Sequence, residues 1–223
     1  MFTKHKWQLA AALILGLLTA GVACAVDLQE LVKESQQVRN ADQKLEMVWW
    51  IPQEFWETSF NGNPNVSAES KAQILGVLQD YQIVAVVYVK TSVAGFTEIA
   101  SEPDILANVK FESGGKVIDA VPADKISTGA QSILGAIKPL MTGMLGQLGQ
   151  NMHFVVYPNR DGTRRLVDPV QAGAFQVSLY DQVFDWRLPL ASLLPRKMDP
   201  KTHEEFPGNF NFNPYTGGKL GGK

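Results

Sequence analysis

Cysteine occurs once in this chain, at position 24, and histidine three times, at 5, 153 and 203. Scarcity of these two residues removes several chemistries. A lone cysteine closes no disulfide within the chain, so an exported domain of this sequence must stand on its hydrophobic core. Metal centres are not encoded either: there is no H-E-x-x-H, no set of cysteines and no D-x-D-x-D-G loop. No G-x-S-x-G elbow occurs. His153 alternates with Val155 and Tyr157 in MHFVVY, the position of a half-buried packing residue. His203 lies in a Gly/Pro-rich tail, a poor frame for catalysis. No glycine-rich phosphate loop precedes a helix. Basic stripes are absent, which argues against nucleic-acid binding. No catalytic residue, metal ligand or cofactor is therefore assigned from the sequence.

Long apolar runs are also missing, apart from one at the start. Lys4, His5 and Lys6 precede Leu9 to Leu18, and small residues continue to Ala25. This is the pattern of an export signal, with Ala23-Cys24-Ala25 as the cleavage site. The run is short for a membrane span, which needs about 20 apolar residues. Gly21-Val22-Ala23-Cys24 resembles the lipobox of bacterial lipoproteins, but lacks the Leu usual three residues before the Cys. Cys24 is thus a candidate lipidation site, and cleavage after Ala25 to a soluble product is favoured. The expectation is a protein of the periplasm or cell envelope, touching membrane only through Cys24. Removing Lys4 and Lys6 from 20 basic residues leaves 18 against 22 acidic, a net charge of −4.

What is abundant is apolar: 45% of residues are hydrophobic and 19% charged, so the chain is globular. Asp27 caps a short first helix, with a capping box to Glu30, whose face carries Leu28, Leu31, Val32 and Val38. Lys44 to Ile51 reads as a strand stopped by Pro52, and Asn61-Gly62-Asn63-Pro64 as a turn. Ser67 opens a helix bearing Ile74, Leu75, Leu78 and Tyr81. Ile83 to Val89 is apolar on both faces, the signature of a central strand. Ala107–Glu112 and Lys116–Val121 flank a Ser113-Gly114-Gly115 hairpin turn. Gln131 to Leu148 is helical, with Pro139 expected to kink or split it and Gly143, Gly146 and Gly149 expected to allow close backbone approach. Met152–Tyr157 returns to strand, Leu166–Val170 pairs back, and alternation marks Phe175–Leu179 and Phe184–Leu188. The fold class is α+β: one domain, residues 26–195, a largely antiparallel sheet covered by amphipathic helices, then a short Gly/Pro-rich appendage, 196–223.

Within that appendage Asp199-Pro200-Lys201-Thr202-His203 is echoed by Asn213-Pro214-Tyr215-Thr216-Gly217, with Gly218-Lys219-Leu220 next in the chain. The pair of motifs resembles a zinc ribbon that has lost its ligands. The resemblance covers about 24 residues. It implies that Asp199, Thr202, Asn213 and Thr216 occupy the ligand positions, and that the module is metal-free, because Thr and Asn are poor zinc ligands.

The segment MVWWIPQEFWETSF, residues 47–60, is the densest in rings. A strand through it sends Trp49 and Trp50 to opposite faces, so the two cannot form one platform. Core is the simplest use of the set; Trp56 is the ring expected to be exposed, and Phe55 to point away from the face shared by Trp56 and Phe60. Ligand-binding candidates are Trp56, Trp50, Glu54 and Glu57. Function is read as a non-enzymatic binding module for another envelope protein or a small ligand. The alternative is a hydrolase of envelope glycans, using Glu54 and Glu57 beside Trp56.

Overall fold

A computed structural model describes residues 26–61, 66–92 and 97–222. Residues 1–25, where an export signal with Cys24 is expected, and most of the turn at 61–64, lie outside these residues. The fold is α+β, and every pairing between its strands is antiparallel.

Helix α1 (Leu28–Ser35) starts where Asp27 accepts hydrogen bonds from the N–H groups of Gln29 and Glu30. The reciprocal half of the expected capping box is replaced by a contact of Glu30 with Lys33. The helix ends at Ser35, and β1 (Gln36–Ala41) begins at once, so Val38 is an exposed strand residue and not part of the helical face. A tight turn with Asp42 and Gln43 at positive φ returns the chain into β2 (Lys44–Ile51). Helix α2 (Gln53–Asn61) then runs on from Pro52, and Ser67 caps α3 (Ala68–Leu78).

The central strand is β3 (Tyr81–Thr91). It pairs along one side with β2, and along the other with β4 (Thr97–Ile99) and β7 (His153–Pro158). Covered on both faces, it is apolar on both, as its sequence requires. A second sheet has the order β11 (Gln182–Leu188), β10 (Gly173–Leu179), β5 (Val109–Ser113) and β6 (Lys116–Ile118). Its inner residues Phe111, Phe175, Val177, Phe184 and Trp186 are buried, whereas Lys110, Asp185 and Arg187 face outward. The alternation is that of a sheet with one wet face.

Register assigns the two tryptophans. Trp50 shares a face with Val84 and Val155 and meets Phe175 of the second sheet edge-on, ring centroids 4.7 Å apart. Trp49 lies on the opposite face, under the helices. Its Nε1 donates to Ser35 Oγ of α1, and its ring meets Phe55 of α2 at 5.1 Å. Helices, five-stranded sheet and four-stranded sheet therefore form successive layers, with one aromatic ring of the WW pair in each interface.

Between β4 and β5 lies α4 (Glu102–Asn108), held by a reciprocal Ser101–Asp104 capping box. Helix α5 (Thr128–Leu145) is not divided at Pro139; the interruption falls at Gly146, whose φ is +60°, before α6 (Gln147–Gln150). Gly149 carries the expected close approach: a Cβ there would sit 2.5 Å from Thr142 Cα. Gly143 has open space instead. A small ribbon, β8 (Arg160–Asp161) with β9 (Arg164–Arg165), takes the place of the expected strand at 166–170. The appendage forms its own sheet from β12 (Lys197–Met198), β13 (Glu205–Phe206) and β14 (Gly221–Gly222). It is joined to the body where Asn209 Nδ2 donates to the Pro189 carbonyl at 3.3 Å.

Candidate functional site

The aromatic run is interior. Trp50 is 0% exposed and Trp56 3% exposed. The expectation that Trp56 is the open ring is corrected: α2 turns it inward, where it stacks edge-on against Phe55 at 5.0 Å. Phe55 is buried as well, and does not point away. A buried ring removes 150–250 Å² from water, which at ~25 cal/mol per Å² is an upper bound of about 4–6 kcal/mol. At that bound one ring is of the same order as the ~2–4 kcal/mol of a disulfide.

Trp50 also anchors a buried polar network. Its Nε1 donates to Gln82 Oε1 at 2.6 Å. Gln82 Nε2 donates to Asn159 Oδ1 and to the Val167 carbonyl. Asn159 Nδ2 in turn donates to the Gln79 carbonyl. Both amides are nearly inaccessible to water, yet each finds partners. This network fixes both ends of the 159–167 segment against β3, and so positions the ribbon between them.

That ribbon is basic. Arg160, Arg164 and Arg165, half of the six arginines in the chain, fall in six positions. They line a cleft of about 590 Å³ between the β8–β9 ribbon, the β5–β6 turn at Ser113–Gly114 and the loop entering β10. A neighbouring groove of about 500 Å³ shares Arg160 and Arg164 and adds Lys116 and Asp161. Gly114 (φ +59°) and Gly115 (φ +75°) make the tight turn that forms one wall. Ser113 Oγ ties that wall to the ribbon by donating to the Leu166 carbonyl.

Glu54 belongs to the support of this cleft. It accepts from Arg165 Nη1 at 2.8 Å, both side chains being about one-fifth exposed. Asp168 stands 4.0 Å from the same nitrogen. Glu57, one turn along α2, has its carboxyl pushed up by burial and by the Glu54 charge, and accepts from Gln53. Of the four candidate binding residues, Glu54 alone reaches the cleft wall, through Arg165. Glu57 lies on α2, and Trp50 and Trp56 are core. His153 Nε2 donates to the Ala100 carbonyl at 3.2 Å, and burial lowers its pKa. That is a packing role. The arginines sit on and beside two-residue strands, so no basic stripe along a regular element marks them in the sequence. The available signal is their crowding around the Asn159-Arg160-Asp161-Gly162 turn.

The appendage holds a second arrangement of interest. Asp199 Oδ1 accepts from the N–H groups of Lys201 (2.8 Å) and Thr202 (3.3 Å); Asn213 Oδ1 accepts from Tyr215 (2.9 Å) and Thr216 (3.3 Å). In each turn the fifth residue is left-handed, His203 at φ +58° and Gly217 at φ +71°. Each donates its N–H back to the first carbonyl. The two turns are joined head to head: Asn213 Nδ2 donates to Asp199 Oδ2 at 2.6 Å, in a buried contact. Asp199 is held below the usual carboxylate range first by Asn213, then by the backbone donor of Lys201.

Among the described residues no group of three or more His, Cys, Asp or Glu is placed to hold a metal, and no helix is long and apolar enough to cross a membrane. The chain matches no protein-family model, no curated protein and no solved structure.

Proposed function

We propose that this chain is an exported envelope protein whose α+β body is a non-enzymatic binding module, and that it takes a small ligand in the arginine-lined cleft. One observation carries the reading: three separate chain segments meet around a concavity, with polar groups converging on it. Saturation-transfer NMR against a fragment library tests it. Binding that is abolished by Ala174→Trp, an exposed cleft position, is the expected result. Hits that survive this substitution, competing at α2 instead, would overturn it. Export is tested by the mass of the mature N-terminus: a chain starting at Val26 supports the soluble form, a lipid on Cys24 the anchored one, and an intact Met1 neither.

The glycan-hydrolase alternative draws on one observation, the raised pKa of Glu57 beside Glu54. Its sugar platform, Trp56, is in the core. Loss of turnover on envelope glycans in Glu57→Gln would be needed to restore it.

For the appendage we propose that the resemblance to a zinc ribbon is one of architecture, with the Asp199–Asn213 hydrogen bond linking two turns where a metal would. Chelators should leave the appendage protected from proteolysis. Cysteines placed together at 199, 202, 213 and 216 should bind one zinc per chain; failure to bind, with the body folded, would contradict the proposal.

A further inference from the structure

We infer that the ligand of the cleft is a compact multivalent anion, of phosphate or carboxylate chemistry, held chiefly by Arg160, Arg164 and Lys116. This inference rests on the binding reading above and specifies its ligand class. Four cations border the two joined hollows: Lys116, Arg160, Arg164 and Arg165. Arg165 is matched by Glu54 at 2.8 Å, with Asp168 at 4.0 Å. Asp168 is further occupied by the N–H of Val170. Three cations, Lys116, Arg160 and Arg164, then remain against two carboxylates, Asp168 and Asp161. Asp161 sits across the ribbon from Arg164, yet no ion pair joins them among the described residues. Arg160 spends one nitrogen on the Thr163 carbonyl at 3.0 Å. The guanidinium of Arg164 and the ammonium of Lys116 have no partner among the described residues. Four cations against Glu54, Asp168 and Asp161 leave a local excess of one positive charge, on a chain whose overall charge is negative.

An anion resolves that imbalance. Guanidinium forks match the oxygens of phosphate and carboxylate two at a time, and Arg165 is engaged by Glu54 in the wall. Gly114 and Gly115 leave open space at the rim, so the anion can approach the turn closely. Lys and Arg stay charged across neutral pH.

Calorimetric titration of the purified protein with pyrophosphate, and separately with citrate, tests the inference. The expected result is saturable binding of one or both, weakened by added sodium chloride. The stronger of the two identifies phosphate or carboxylate as the preferred chemistry. Arg164→Glu and Arg160→Glu should each raise Kd at least about tenfold. Lys110→Glu, an equal charge change on the outer face of the second sheet, should change it less than about twofold. Equal weakening by all three would mean diffuse attraction and overturn the site. Absence of saturable binding by either anion, in protein whose unfolding transition is intact, would overturn the ligand class. If neutral fragments still bind and Ala174→Trp still blocks them, the cleft stands as a binding site and only its anionic character fails.

Discussion

Gln82 shows how a single amide decides what the core can hold. It satisfies Trp50 Nε1 on one side and reaches Asn159 and the Val167 carbonyl on the other. Replacing it by Met keeps the volume but takes the Gln82 partner from the indole N–H, from Asn159 Oδ1 and from the Val167 carbonyl. Each orphaned group costs about 1–3 kcal/mol, so Gln82→Met should lower the unfolding free energy by at least about 3 kcal/mol in urea titration. Glu46 gives a pH-dependent counterpart. It is 3% exposed, and its Oε1 has no hydrogen-bond partner among the described residues. Burial raises its pKa first, and Asp181 adds to the shift, while Lys44 and Arg39 oppose it. A carboxyl raised on folding contributes stability that is present below its ordinary pKa and lost as pH rises through the folded value. Glu46→Gln should therefore stabilise the protein at pH 7 relative to wild type, and the difference should shrink toward pH 4. A difference constant with pH would assign the effect to packing alone.

At the scale of elements, sequence and structure agree where one signal dominates. Lys44–Ile51 is a strand over those same residues because its apolar, aromatic-rich run favours a covered strand and Pro52 fixes its end. The opposed directions of Trp49 and Trp50 come from the strand's period of two. Val38 lies at a spacing from Leu31 that fits a helical face, but pairing with β2 outweighs that, since β1 gains a full ladder. Helix α4 has too few turns for periodicity to reveal it. Its signal is Ser101-Glu102-Pro103-Asp104, a capping box with Pro in the first turn. Pro139, expected to break α5, sits at an exposed position where its missing donor and displaced carbonyl can face water. It remains a cost. Pro139→Ala should stabilise the protein by about 1–3 kcal/mol, read as a higher urea midpoint with unchanged slope. The cleft is the least legible part. Arg160 and Lys116 lie 44 positions apart in the chain, and only the meeting of two hairpin turns brings them together. No local pattern carries that information.

For the whole molecule, the rings and the charges have divided tasks. The aromatic run cements three layers, and the polar chemistry gathers where the two sheets' connecting turns converge. Glu54 links the two, since it leaves α2 beside Phe55 and Trp56 and ends against Arg165 at the cleft wall. The most direct test of this division is residue-resolved NMR of the isotopically labelled protein titrated with pyrophosphate and with citrate. The account predicts shifts concentrated at Ser113–Lys116, Arg160–Asp168 and Gln171–Ala174, with the indole signals of Trp49 and Trp56 unmoved. Shifts centred on Gln53–Phe60, with the arginine segment silent, would contradict it.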